Sequence, residues 1–463
     1  MGQQTNEPPM PNRLCVIDLP GLCKTLLPHV PANTALGQWL SGRPVCPLKP
    51  SLPALTCSIQ ATLTTGTPPS KHGIIANGLP AFLSADDAAL VDVSNFADFR
   101  RQISFWEQSN QLVQSPRFWQ TPAGRSKYPT ALLFFQNSMP GFTDSPKPAA
   151  DFVLTPKPDH GPDGKLASLC WSNPADLVPR LFKELGPFPL MNYWGPPANI
   201  NSSRWIARSA ARIWSDQTPA LQLVYIPHLD YDLQRFGPRS PQAQKAVEEV
   251  ASALDPLISA VLNGGDQLAI LSEYAMHEVG RFFQPNRLLA DAGLLQTRPT
   301  DQGRLIDYTQ SRALAMVDHQ IAHVYCRDAQ STAAARELFA DFSDIQVMGR
   351  TGQEESHLNH RRSGDLLLIA PLDGWFDYRW WSDLADAPAF AGEVDIHRKP
   401  GYDALELIFD PSTRKISQNP SHIRGSHGRI DGFDALFIGG GLDMPLNAVD
   451  VAPILARMVE SGI

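Results

Sequence analysis

Cysteine is scarce: six residues in 463, none in a C-x-x-C pair. A disulfide scaffold is therefore excluded, and Cys15, Cys23, Cys46, Cys57, Cys170 and Cys326 read as free thiols of a reducing compartment. No uninterrupted apolar run reaches the roughly 18 residues that a membrane span needs. The start, Met1 to Asn12, has no basic stretch followed by an apolar one, so it reads as a disordered tail rather than a signal peptide. These absences lead us to expect a cytoplasmic protein without a membrane span. An excess of positive charge is missing too: 39 Lys and Arg stand against 47 Asp and Glu, for a net charge of −8. That disfavours a nucleic acid polymer as partner, but leaves room for a local pocket that holds one phosphate group.

Apolar content, by contrast, is ample at 43%, and the length suffices for a large core. Short apolar runs recur: Leu14 to Ile17 before Asp18, Ala131 to Phe135, Gln222 to Ile226, Gln267 to Leu271, Asp365 to Ile369 and Ala435 to Ile438. Runs of this kind read as strands buried on both faces. Helix-period stretches lie between them. The clearest is Pro241 to Leu262, with Val247, Val250, Leu254, Leu257, Ile258 and Val261 on one side and Glu248 and Glu249 on the other. Alternating strands and helices predict an α/β fold with a mostly parallel sheet, and such sheets bind ligands at the carboxyl ends of their strands. The 42 prolines concentrate in Pro140 to Pro174 and Pro187 to Pro197, which read as surface connections or a lid. Insertions are expected at about 100–215 and 302–419. The second would hold a helix at Ala333 to Phe342, a strand at Ile345 to Met348 and the Leu366 strand.

One segment carries most of the chemistry. Pro53 precedes Thr56 by three positions, Gly66 follows ten later, and His72-Gly73-Ile74 leads to Asn77. Taken alone, Thr56 is a helix N-cap and Asn77 a turn residue beside Gly78. Together the spacing resembles the alkaline phosphatase superfamily, in its nucleotide pyrophosphatase/phosphodiesterase branch. Other blocks follow in that branch's order. Val16-Ile17-Asp18 resembles its first strand, which ends in a metal-binding aspartate. Asp230 to Pro238 resembles D-x-x-x-H-x-x-G-P, with Gln234 at the histidine. Ser272-Glu273-Tyr274-Ala275-Met276 resembles S-D-H-G-M, with Glu273 at the aspartate and Tyr274 at the histidine. Gly425-Ser426-His427-Gly428 matches G-x-H-G. The resemblance implies an alkaline-phosphatase-like core, a mostly parallel sheet sandwiched by helices, spanning 13–463 with inserted lid or cap segments. It also implies a small phosphorylated substrate and two divalent cations. Thr56 would be the nucleophile, Asn77 a donor to the transition-state oxygens, and Asp18, Thr56, Asp230, Glu273 and His427 the metal ligands.

The departures alter the ligand chemistry. Of three family histidines only His427 remains, while the negative charge at both metal sites is preserved. Oxygen-rich sets move preference from Zn²⁺ toward Mg²⁺, Mn²⁺ or Ca²⁺, so Zn, Mn or Mg are all carried as candidates. The replacement positions themselves, Gln234 and Tyr274, are candidates for metal or substrate. So are His228, two residues before Asp230 and on its side if the strand continues, and His277, which would reach back from a helical turn after Tyr274. His397 and Lys399 sit in an unusual charged cluster with Arg398, which suits a second phosphate or acid group. His319 and His323, at i and i+4, would share a helix face at a domain contact. Trp106, Trp119, Trp375, Trp380 and Trp381 line either a pocket for an organic leaving group or the core of the insertions. The expected activity is hydrolysis of a phosphodiester or pyrophosphate bond. A phosphomonoesterase, phosphonate hydrolase or phosphomutase of the same superfamily is the alternative within the class, and a non-catalytic binding protein with a decayed metal site is the alternative outside it.

Overall fold

The computed structural model describes residues 12–80, 103–141, 148–160, 166–396, 398–432 and 434–461. The expected tail at 1–12 falls outside them except for Asn12, as does His397. The main sheet has nine strands: β1 (Leu14–Asp18), β2 (Cys46–Lys49), β3 (Thr130–Leu133), β4 (Phe152–His160), β5 (Leu166–Asn173), β6 (Leu221–Tyr225), β7 (Gln267–Leu271), and two late strands, Ala435–Ile438 and Leu446–Asn447. Its centre, in the order β7-β1-β6-β3-β4, is parallel throughout. All five residues of β1 are buried, which is why its apolar run is continuous rather than alternating.

Helices cover this sheet. Among them are α1 (Thr56–Thr65), α2 (Ile200–Gln217), α3 (His228–Phe236), α4 (Pro241–Asn263) and α5 (Ala448–Ser461). The Ser240 hydroxyl accepts from the Ala243 N–H at 3.1 Å at the start of α4, and Pro241 takes the first turn, where no donor is needed. The expected stripe from Val247 to Val261 is buried. α2 packs along α4, and α1 along α5.

A second, antiparallel sheet stands beside the first: β8 (Ala313–Asp318), β9 (Ile321–Cys326), β10 (Gln346–Met348) and β11 (Leu366–Ile369). Three expectations change here. The Leu366 run pairs antiparallel with β9 and β10 and lies outside the main sheet. His319 and His323 share no helix: Asp318 pairs with Ile321 across a hairpin, so His319 lies in its two-residue turn and His323 on a strand. The i, i+4 spacing of two polar residues fits either geometry, and the β-branched neighbours decide for the strand. Part of the proline-rich stretch after Pro140 forms the β4–β5 hairpin at the sheet edge instead of a surface connection.

Each sheet has its own apolar core, and α1 serves both. Ile59 and Leu63 join the core of the main sheet, and Cys57 and Ala61 that of the smaller one. The helix is buried from Thr56 to Thr64. It ends at Gly66, whose φ of +67° suits glycine, and a Cβ there would stand 3.2 Å from that of Ala452.

Candidate active site

Strand ends and helix starts converge at the seam of the two cores. Asp18 closes β1, Thr56 opens α1, Asp230 and Gln234 lie one turn apart on α3, and Glu273 and Tyr274 follow β7. No side chain caps α1 at Leu55. Asn77 does so from a distance: its Oδ1 accepts the Cys57 N–H at 2.9 Å, meeting one of the donors that every helix start leaves open.

Tyr274 stands at the middle of the site. Its hydroxyl is 3.1 Å from Thr56 Oγ1 and donates to Asp230 Oδ1 at 3.2 Å. Gln234 Nε2 donates to Asp230 Oδ2 at 2.7 Å, and the Tyr402 hydroxyl donates to Gln234 Oε1 at 2.9 Å. Four rings form a column beside this chain of bonds. Tyr274 stacks on His427 with centroids 3.6 Å apart and planes 8° from parallel. His427 lies 3.9 Å from His319, and His319 3.7 Å from Tyr402. His427 Nδ1 bonds the Ala54 carbonyl at 2.8 Å, and its Nε2 is 3.8 Å from Asp230 Oδ1.

The hairpin turn brings in residues that the sequence reading missed. Asp318 accepts from the Asn77 backbone N–H at 2.8 Å and from Asn77 Nδ2 at 3.2 Å. His319 Nδ1 is 2.7 Å from Asp318 Oδ1. Asn77 is thereby fixed at both ends of its amide. His319 adopts a φ of +59°, uncommon for a residue with a Cβ, and its Nε2 is buried with no hydrogen-bond partner among the described residues. Gln60 reaches Asp18 Oδ2 at 3.4 Å. The signal for the turn was the polar Asp318-His319-Gln320 between two apolar runs. Nothing local pointed to Tyr402 or Gln60.

The carboxylates are strongly perturbed. Asp18 and Glu273 are fully buried, and neither Glu273 oxygen nor Asp18 Oδ1 has a hydrogen-bond partner among the described residues. Burial raises Asp18 well above the usual carboxylate range, and the Glu273 carboxyl adds to the rise. Burial likewise pushes Glu273 up, against the pull of Asp18, Thr56 and Gln60. Asp230 rises to about 7 through burial, with Gln234 and Tyr274 pulling it down. His427 is held well below its ordinary value by burial and by His319. It is a neutral imidazole at neutral pH, the form in which nitrogen ligates a metal.

Other candidates fall elsewhere. His228 opens α3 instead of extending β6, and its Nε2 is 3.0 Å from Glu249 Oε2. His277 lies in a short strand pair with Ser426, where its Nδ1 is 2.9 Å from Gln320 Oε1, so no helical turn brings it back. Lys399 is buried and spends its charge on Asp403 at 2.9 Å and Glu406 at 2.6 Å, while exposed Arg398 pairs with Glu393 and Asp395. Neither is free to take a phosphate. Lys399→Met should therefore destabilise the fold by about 3–5 kcal/mol in urea unfolding, because two carboxylates lose their buried counter-ion. Adding Asp403→Asn and Glu406→Gln should recover most of that loss. Trp119, Trp375, Trp380 and Trp381 pack in the cores. Trp106 instead faces a recess with Phe105, Trp194 and Tyr402.

A family model described as type I phosphodiesterase/nucleotide pyrophosphatase matches residues 14–403. The chain belongs to this family. Its fold is that of the alkaline phosphatase superfamily. The murine ectonucleotide pyrophosphatase/phosphodiesterase 5 gives a TM-score of 0.58 at 14% identity, over 96% of this chain and 95% of its own. Phosphonoacetate hydrolase from Sinorhizobium meliloti, in complex with phosphonoacetate, gives 0.59 at 14% identity, over 98% and 96%. No curated protein sequence matches the chain. Membership makes it a phosphoester hydrolase by family, and among the described residues no helix is long and apolar enough to cross a membrane.

The family is generally dependent on divalent metal, so the donor set can be compared with that need. Among the described residues no group of three or more His, Cys, Asp or Glu side chains is arranged to hold an ion. The two halves of the site differ, however. At Asp18 and Glu273, three buried carboxylate oxygens without partners fit one hard cation. At Asp230 both oxygens already receive uncharged donors, which does not fit a second.

Proposed function

We propose that this chain hydrolyses a phosphodiester or pyrophosphate bond by way of a covalent intermediate on Thr56. The observation that carries the reading is the Thr56 hydroxyl at the buried start of α1, hydrogen-bonded to Tyr274 and through it to Asp230. A threonine hydroxyl is a weak nucleophile until a neighbour accepts its proton. Thr56 oxygen would attack phosphorus and expel the leaving oxygen, and water would then cleave the Thr56–phosphoryl bond. The start of α1 favours the negative charge of the phosphoryl group. Asn77, held by Asp318, orients the first turn of that helix and keeps a second Nδ2 hydrogen for the developing charge.

Asp18, Glu273 and Thr56 are the residues that would hold a divalent cation. Bound there, it would neutralise two carboxylates and draw charge from the phosphoryl oxygens. The oxygen donors favour Mg²⁺ or Mn²⁺ over Zn²⁺. The recess of Phe105, Trp106, Trp194 and Tyr402, lined also by Lys399, Asp403 and Glu406, meets the site through Tyr402. We read 13–463 as one catalytic unit, with the segments at about 100–215 and 302–419 inserted into it. No disulfide joins the cysteines of the described residues, which supports a cytoplasmic setting.

Assays with bis-(p-nitrophenyl) phosphate and p-nitrophenyl phosphate, each with added Mn²⁺, Mg²⁺, Zn²⁺ or Ca²⁺, test this reading. The expected result is a diester preference of at least about 10-fold in kcat/KM. A monoester preference would point to a phosphomonoesterase. No turnover with any cation, together with thermal stabilisation by the ester, would point to a binding protein.

A further inference from the structure

We propose that Tyr274 relays the proton of Thr56 to Asp230, in the place where the family's pattern calls for a second cation, and that the chain holds a single divalent cation between Asp18 and Glu273. The proposal rests on the reading of Thr56 as nucleophile and adds to it how the nucleophile is activated.

The direction of the bonds follows from donor counting. A phenol has one hydrogen, and Tyr274 gives its own to Asp230 Oδ1. Its oxygen is then an acceptor, and the group within reach is the Thr56 hydroxyl. The order Thr56 O–H, Tyr274 O–H, Asp230 carboxylate is therefore the arrangement that satisfies all three. The far end is equally determined. Tyr402 donates to Gln234 Oε1, which turns the Gln234 Nε2 toward Asp230 Oδ2. Asp230 thus has a donor on each oxygen, and both replaced family positions, Gln234 and Tyr274, supply them. A cation at Asp230 would have to displace both of these hydrogen bonds.

The contrast with the other half decides the count. Asp18 Oδ1 and both Glu273 oxygens are buried without a geometric hydrogen bond among the described residues, and a pair of buried carboxylates is stable as charges only when paired or bound to metal. Ring packing makes the relay stiff: the Tyr274 ring lies flat on His427, and the column continues through His319 to Tyr402. The hydroxyl is held at hydrogen-bonding distance to both neighbours.

The protons balance over two half-reactions. In the first, the Thr56 proton passes to the Tyr274 oxygen as the Tyr274 proton passes to Asp230. The Thr56 Oγ1–phosphorus bond forms, the bond to the leaving oxygen breaks, and that oxygen takes a proton from solvent. In the second, water attacks phosphorus and releases a proton to solvent. The Oγ1–phosphorus bond breaks, and Asp230 returns its proton through Tyr274 to Thr56.

Tyr274→Phe keeps the ring and removes the hydroxyl, so it tests the relay. With bis-(p-nitrophenyl) phosphate and Mn²⁺, kcat should fall about 10²–10³-fold, with KM nearly unchanged. The plot of rate against deuterium fraction should change from curved to linear, which a merely structural role would not cause. Mn²⁺ content, counted by mass spectrometry after equilibrium dialysis, should stay at one ion per chain in wild type and variant. Gln234→His combined with Tyr274→His should raise it to two. Wild-type kcat in Tyr274→Phe overturns the relay while leaving Thr56 as nucleophile intact. Two ions in the wild type overturn the single-cation site. Should the wild type hydrolyse nothing, the Thr56 reading fails, and the ion count still tests the single-cation site.

Discussion

Thr56→Ala should lower kcat on a diester by at least about 10³-fold, the scale seen when a nucleophile is removed. The rest of the site should survive the change. Tyr274 keeps its bond to Asp230, Gln234 and Tyr402 keep theirs, and the start of α1 stays tied to Asn77. One buried hydrogen bond is lost, worth about 1 kcal/mol, so the variant should fold with a nearly unchanged melting temperature. Mn²⁺ content should also persist, because Asp18 and Glu273 supply the charge. Thr56→Ser restores a hydroxyl at the same helix start and should recover measurable turnover. Steady-state kinetics on the three proteins, at matched Mn²⁺ content, checks this. Wild-type turnover in Thr56→Ala would remove Thr56 as nucleophile.

Glu273→Gln should separate function from stability. The substitution removes one of two neighbouring buried carboxylates, so Mn²⁺ affinity should fall by more than about 100-fold, as loss of a charged ligand demands. Activity at limiting Mn²⁺ falls with it. Without cations the same variant should be more stable than wild type, because an amide is cheaper to bury than an unpartnered carboxylate. The dependence on pH has a definite sign. The folded pKa of Glu273 is raised from its ordinary value by burial. The group therefore contributes stability that is full below the unfolded value, near 4.5, and is lost as pH rises through the folded value. Glu273→Gln has no such loss. Its advantage in melting temperature, measured in EDTA, should be small at pH 4.5 and several degrees at pH 8. An advantage that shrinks as pH rises would show that Glu273 is satisfied by the protein itself.

Much of the site was legible because its residues sit at the ends of short, unambiguous elements. Asp18 follows four apolar residues that only a buried strand explains, and Thr56 begins a run whose cap residue, Asn77, was already singled out. The blocks around Asp230 and His427 contain enough glycine and proline to set their register, and Glu273 stands just past the apolar run Gln267 to Leu271. What was missed depends on long-range pairing. Asp318 and His319 reach the site only because β8 and β9 form a hairpin in a second sheet, and a spacing of four cannot distinguish that hairpin from a helix. His228 was drawn toward Asp230 by a strand period that stops at Tyr225, since the helix begins at once. Lys399 looked available for an anion until Asp403 and Glu406, four and seven residues on, folded back over it. Gln234 and Tyr274 are visible in the sequence as departures from a pattern, but the convergence of their donors on one carboxylate depends on α3 meeting the segment that follows β7.

The stereochemistry at phosphorus is the most direct test of a covalent Thr56 intermediate, because it does not require the intermediate to accumulate. A chiral phosphorothioate diester is hydrolysed in isotopically labelled water and the configuration of the product determined. Two successive in-line displacements, first by Thr56 and then by water, predict net retention. Net inversion would mean that water attacks the ester directly and would contradict the proposed role of Thr56.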